Sequence, residues 1–139
     1  MSLSSQGELL IKLLTLNTRI QKRLAGPLSC HGISVTEYLV LRRLYHAPGR
    51  KLRRVDLAQL VGLSPSGVTR LLNPMQKVGL ISKEKVERDA RISLVTLTDA
   101  GENIFKDANI SFDQVAQSLT ESIGDKDQKN LLKAVELLL

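Results

Sequence analysis

The segment from Leu63 to Leu80 constrains this chain more than any other. It opens with a helix start. The Ser64 hydroxyl can cap orphan amides, and Pro65 suits the first helical position, where no amide donor is missed. Val68, Leu71, Leu72 and Met75 then recur at spacings of three and four, which builds one apolar stripe. The opposite face carries Ser66, Thr69, Arg70, Asn73 and Lys77, short hydrogen-bonding groups and cations without a carboxylate. Gly79 closes the helix as a left-handed cap. A core-facing back with a cationic, acid-free front is what the major groove of duplex DNA accepts. Pro74 removes a hydrogen bond to the Arg70 carbonyl and is expected to kink the helix. Base reading should therefore rest on Ser66 to Asn73, with Lys77 peripheral.

Charge supports a polyanionic partner. The formal net charge is +6, and between Arg42 and Arg91 there are 12 Lys or Arg against 4 Asp or Glu. The remainder holds 8 basic and 10 acidic residues, so positive charge is segregated to the middle of the chain. Tyr38, Tyr45, Phe105 and Phe112 are the only aromatic residues, too few for a surface that stacks unpaired bases, which favours duplex DNA. With 139 residues the chain suits one well-buried domain rather than two. It has no run of about 18 apolar residues and no signal-like start, so a soluble, cytoplasmic chain without a membrane partner is expected. The single cysteine, Cys30, excludes an internal disulfide and fits a reducing compartment.

Leu9, Leu10, Leu13, Leu14, Leu16, Ile20 and Leu24 predict a first helix, ended by Gly26-Pro27, with a broad apolar arc. Pro27 to Gly32 reads as a loop. Ser34 and Glu37 form a capping-box pattern for a second helix to about Ala47, its core side being Tyr38, Leu41, Leu44 and Tyr45. Leu52 to Val61 reads as a short third helix stopped by Gly62. A short helix, a turn containing Gly and a second short helix make a helix-turn-helix unit. Leu80 to Glu87 and Ile92 to Leu97 predict a two-stranded ribbon with Arg88-Asp89-Ala90-Arg91 at its tip. Thr98 caps a helix through Ile104, Ala108 and Val115 to about Leu119, and Asp125 with Gln128 is expected to cap a last helix. That helix carries Leu131, Leu132, Val135, Leu137, Leu138 and Leu139, an apolar face that must be hidden. The first and last helices together read as a dimerisation layer, with Leu9, Leu10, Leu13, Leu131, Leu132, Val135 and Leu138 at the interface.

The element order resembles the MarR family of winged helix-turn-helix transcriptional regulators. Leu57 to Leu72 resembles the family's helix-turn-helix, and Lys77-Val78-Gly79-Leu80-Ile81 its turn into the wing. Asp89-Ala90-Arg91, followed by Val95-Thr96-Leu97-Thr98-Asp99-Ala100-Gly101, is similar to the wing signature. The resemblance implies a mainly α fold with a small antiparallel β-wing and a single domain over residues 1–139. Within it, residues 33–97 would form the DNA-binding lobe, and residues 5–26 and 98–139 the dimerisation helices. It implies a homodimer on a pseudo-palindromic operator, with half-sites about 10 bp apart. It also implies repression relieved by a small phenolic or lipophilic effector or by an oxidant, with ligand pockets between the dimer layer and the DNA-binding lobe.

On this reading Ser66, Thr69, Arg70 and Asn73 address base edges and nearby phosphates, Arg70 having the fork to take guanine bidentately. Arg91 resembles the wing arginine that enters the minor groove, with Asp89 either orienting it or stabilising the wing hairpin. Lys83, Lys85, Arg88, Arg53 and Arg54 are expected on phosphates, where they supply affinity without sequence information. Ser64 and Gly67, at the start of the recognition helix, complete the candidate DNA-binding set; Gly67 costs about 1 kcal/mol relative to Ala there, and either close backbone approach or tolerance accounts for it. Arg53 stands where the family usually starts its third helix with Ser or Thr. Cys30, beside His31, reads as an ordinary cysteine, and Cys30, His31 and His46 show no metal-ligand spacing. No nucleophile, metal or phosphate-loop motif points to an enzyme or a cofactor. The alternative is a winged-helix protein-interaction scaffold without specific DNA binding, which the acid-free face argues against.

Overall fold

The structure is a computed structural model that describes residues 1–139, apart from the side chain of Ala90. Six α-helices and three short strands follow in the order α1 (Ser5–Ser29), α2 (Val35–His46), β1 (Lys51–Arg53), α3 (Arg54–Leu60), α4 (Pro65–Lys77), β2 (Ile81–Val86), β3 (Asp89–Leu97), α5 (Asp99–Leu119) and α6 (Asp125–Leu138). A single 3-10 turn, Pro48–Arg50, lies between α2 and β1. The mainly α architecture with a small antiparallel wing is the one expected from the sequence.

Local caps set most boundaries. Ser34 accepts from the Glu37 amide while the Glu37 carboxylate accepts from the Ser34 amide, the reciprocal box that starts α2. Ser64 accepts from the Gly67 amide at 3.1 Å and Pro65 takes the first position of α4. Thr98 caps α5 through the Gly101 amide. Its own hydroxyl donates to the Gly79 carbonyl at 2.6 Å, tying α5 to the turn after α4. Gly79 itself has φ +84°, the left-handed conformation expected of it.

Four expectations are corrected. The helix α1 does not stop at Gly26-Pro27 but runs to Ser29, so Cys30 is its C-cap rather than a loop residue. Leu24 and Leu28, on either side of the proline, are both buried in the core, and their packing outweighs the one hydrogen bond that Pro27 removes. Leu52 belongs to a strand, not to α3: Lys51–Arg53 pairs with Leu94–Thr96, making the ribbon a three-stranded sheet of order β1-β3-β2. The wing tip is shorter than expected because β3 begins at Asp89, which pairs with Val86 beyond a bulge next to Lys85. At α6 the N-cap is Gly124 without a side-chain cap; Gln128 donates instead to the Thr120 and Ile123 carbonyls. Pro74 lies inside α4, which continues through it to Lys77.

One core joins all elements except α6. Leu41, Leu44, Leu57, Leu72, Met75, Ile81 and Val95 pack inside the winged lobe, and Leu28, Phe105 and Ala108 close it from α1 and α5. Tyr38 is the centre of this closure. Its ring stacks on Phe112 at 4.5 Å and on Phe105 at 5.6 Å, and its hydroxyl donates to Asn109 Oδ1 at 2.6 Å. The N-terminal part of α1 and the whole of α6 stand apart from this core. Leu10, Leu14, Leu132 and Leu138 are each more than half exposed, and no residue of α6 is buried.

Candidate nucleic-acid interface

The α4 helix presents what its pattern promised. Val68, Leu72 and Met75 are fully buried, and Ser66, Arg70, Asn73 and Lys77 face solvent, with Thr69 half-buried at the edge. Several of its polar groups are already engaged within the chain. The Ser64 hydroxyl caps Gly67 and lies 3.3 Å from the Ser66 hydroxyl. A Cβ on Gly67 would come within 3.1 Å of Ser64 Oγ, so the glycine leaves room for the cap. Its amide faces Ser64, not outward. Thr69 Oγ1 donates to the Pro65 carbonyl at 3.0 Å. Asn73 Oδ1 accepts from Lys83 Nζ, across the gap to β2, at 2.8 Å.

Cations flank α4 on both sides. On one side a cleft of about 650 Å³ lies between α3, α4 and β3, with Arg53, Arg54 and Arg91 at its rim and Val55, Ala58 and Val68 among its lining. Arg54 leans across it to the Pro65 carbonyl at 3.4 Å. Arg53 is the N-cap of α3 and makes no side-chain cap there, which leaves its guanidinium to the cleft. Gln59 lines the same cleft and was not singled out by sequence; a neutral residue in a short helix carries no charge or periodic signal. On the other side Lys83 and Lys85 share one face of β2, and Lys85 and Arg88 are exposed along the wing.

At the wing tip, Asp89 holds Arg91. Its carboxylate accepts from the Arg91 amide at 3.0 Å, from Nε at 3.1 Å and from Nη2 at 3.3 Å. The Arg91 side-chain donors, then its backbone amide, and more weakly the Arg53 charge hold the Asp89 carboxyl below its usual range. Arg91 is 91 % exposed, a guanidinium steadied at its base and free at its edge. Glu84 is paired with Lys51 at 3.1 Å. Two of the four carboxylates in the basic stretch are thus matched, and the front of α4 keeps its positive field.

Apart from Ser64 and Gly67, which pair in the α4 cap, and Arg70, exposed on the front of α4, the sequence-derived DNA-binding set separates into three groups. Arg53, Arg54, Ser66, Thr69 and Arg91 converge on the cleft; Asn73 and Lys83 meet on the opposite side of α4; Lys85 and Arg88 stand alone on the wing. Cys30 is exposed, and His31 lies half-buried, with Nε2 2.8 Å from Ser111 Oγ on α5. Among the described residues no three His, Cys, Asp or Glu side chains come together to hold a metal, and no helix is long and apolar enough to cross a membrane.

Comparison with known proteins gives this geometry its context. The family model described as MarR family matches residues 31–92, which span α2 to the wing tip. An uncharacterized HTH-type transcriptional regulator of Bacillus subtilis is 26% identical over 129 residues, covering 93% of this chain and 76% of the relative. A MarR family transcriptional regulator from Streptomyces coelicolor, solved in complex with DNA, superposes with a TM-score of 0.88 at 20% identity, covering 99% of this chain and 88% of that one. An organohalide-sensing transcriptional regulator, solved in its 2,4-dichlorophenol-bound form, superposes with a TM-score of 0.87 at 20% identity, covering 99% and 80%. The winged lobe thus matches the MarR family model in sequence over residues 31–92, and the whole chain shares the fold of MarR family transcriptional regulators.

Proposed function

We propose that this chain is a sequence-specific, double-stranded DNA-binding regulator that acts as a homodimer and represses until a small phenolic or lipophilic effector binds. The observation that carries the reading is the front of α4, which has no carboxylate and is flanked by Arg53, Arg54 and Arg91 on one side and Lys83 on the other. Arg70 is its centre, exposed on the helix and carrying the planar fork that matches guanine O6 and N7. The Streptomyces coelicolor relative of the same fold was solved on DNA, which supports the same use of the face here.

The homodimer is supported by the apolar faces of α1 and α6, which one protomer leaves in water. Leu9, Leu10, Leu131, Leu132 and Leu138 are exposed, and Leu13 and Val135 half-buried, so a second copy would cover both faces by two-fold symmetry. The effector is supported by a relative that carries 2,4-dichlorophenol. In this chain a cleft of about 680 Å³ between α1 and the start of α2, lined by Lys22, Ala25, Ile33 and Val35, offers an apolar wall beside a cation.

A gel shift against the chain's own upstream DNA over a salt series tests the reading. One pseudo-palindrome should bind tightly with a steep salt slope. Arg70→Ala should weaken it about 5- to 150-fold and relax preference at one position per half-site. Equal affinity for scrambled duplex would refute sequence-specific binding.

A further inference from the structure

We propose that Asn73 and Lys83 act as one composite base reader that presents hydrogen-bond donors only, and so selects guanine rather than adenine at its position in each half-site. The inference rests on the DNA-binding reading above and concerns which base edge this pair recognises.

Lys83 is the third residue of β2, held in register opposite Val95 of β3, and its stem is half-buried. Its Nζ lies 2.8 Å from Asn73 Oδ1. An ammonium has three protons and no lone pair, so the amide oxygen, not the nitrogen, must face it. That contact orients the Asn73 side chain, which sits on the exposed front of α4 three residues after Arg70. An unassisted asparagine reads adenine with both ends of its amide, Oδ1 accepting from N6 and Nδ2 donating to N7. Here the accepting end is engaged by a full positive charge. Adenine's N6 protons, brought to the other lone pair of that oxygen, would meet an ammonium beside them and be repelled. Guanine offers O6 and N7, two acceptors, and the pair offers Asn73 Nδ2 together with the protons left on Lys83 Nζ. The match is donor to acceptor at both positions.

The consequence for Lys83 differs from that of an ordinary phosphate contact. A phosphate-bound lysine adds affinity equally for every sequence. A lysine that sets the polarity of Asn73 changes which base is preferred, while its wing neighbour Lys85 does not. Lys83 thus links the wing to the specificity of the recognition helix.

Selection from a randomised duplex library, read by sequencing, tests this with the full-length wild type, Lys83→Met, Lys83→Arg, Asn73→Ala and Lys85→Met. Melting curves establish that each variant folds. The wild type should enrich guanine at one position per half-site that Asn73→Ala renders indifferent. Lys83→Met, which frees Oδ1, should raise the adenine-to-guanine ratio at that position by about 5-fold or more, the lower end of what a bidentate contact discriminates. Lys83→Arg should keep guanine, and Lys85→Met should lower yield without altering the motif. The proposal is overturned if Lys83→Met weakens all sequences alike, or if the wild type prefers adenine at the position Asn73→Ala erases. If the wild type enriches no sequence, the DNA-binding reading itself falls and the proposal with it. That outcome differs from a clear motif that Lys83→Met leaves unchanged.

Discussion

Gly101→Ala is a substitution for which helix propensity and tertiary structure predict opposite signs. The position lies in the first turn of α5, where alanine would ordinarily favour the helix by up to about 1 kcal/mol. In this fold a Cβ on Gly101 would come 2.1 Å from the Leu80 carbonyl oxygen and 2.9 Å from Leu97 Cδ1. Carbon–oxygen pairs sit at about 3.3 Å or more, so α5 or the chain entering β2 must move by about 1 Å. Three hydrogen bonds hold this junction, one within the α5 cap and two from Thr98 to the Gly79–Leu80 turn. Gly101 donates to Thr98 Oγ1 at 3.0 Å, the Thr98 hydroxyl donates to the Gly79 carbonyl at 2.6 Å, and the Thr98 amide donates to the Leu80 carbonyl at 3.2 Å. Breaking each of these hydrogen bonds costs about 1 kcal/mol, so after the propensity gain the net destabilisation is about 2 kcal/mol. For a chain of this size that lowers Tm by about 6 °C. Urea denaturation and thermal melts at one fixed protomer concentration measure it, which holds the effect of any self-association constant. A variant that melts at or above the wild type would refute the close approach of α5 to Leu80.

Further outcomes follow from the aromatic core, the wing tip and the apolar helix faces. Burial raises the Tyr38 phenol above its ordinary value, with Arg42 opposing and Asp113 adding to the shift. Because the folded pKa is raised, the unfolded chain loses this proton first, and stability should fall as pH rises past about 10. The melting difference between wild type and Tyr38→Phe should be constant at neutral pH and shrink or reverse there. Asp89 has the opposite sign. Its folded pKa is depressed, so its contribution is present above the usual carboxylate range and disappears only as pH falls through the lower folded value; carboxyl NMR should show no Asp89 titration between pH 5 and 8. Leu10→Glu and Leu132→Glu alter exposed side chains outside the protomer's core. Each should yield a folded monomer in sedimentation velocity, with weakened binding to the palindrome; an unchanged dimer would refute the assignment of these faces to the interface.

The elements most legible in the sequence were those set by neighbours three or four residues apart. The Ser34–Glu37 box, the Ser64-Pro65 start and the Thr98 cap are such signals, and each begins a helix where expected. The apolar stripe of α4 is another, because a period near 3.6 in the chain becomes one buried face in space. So is the pairing of Asp89 with Arg91, which are two residues apart.

What the tertiary structure alone decided involves partners distant in the chain. Helix α1 runs through Pro27 because Leu24 and Leu28 are packed under α2 and α5, a gain that no local propensity contains. The three residues of β1 are too few to show a period, and they are a strand only because β3, more than forty residues later, offers its edge. Gly101 is required by the Leu80 carbonyl, which local chain geometry does not bring near it. Asn73 and Lys83 were each legible in the sequence as polar candidates for contact with DNA. Only the fold, by setting β2 beside α4, turns two separate side chains into a single contact with a defined polarity.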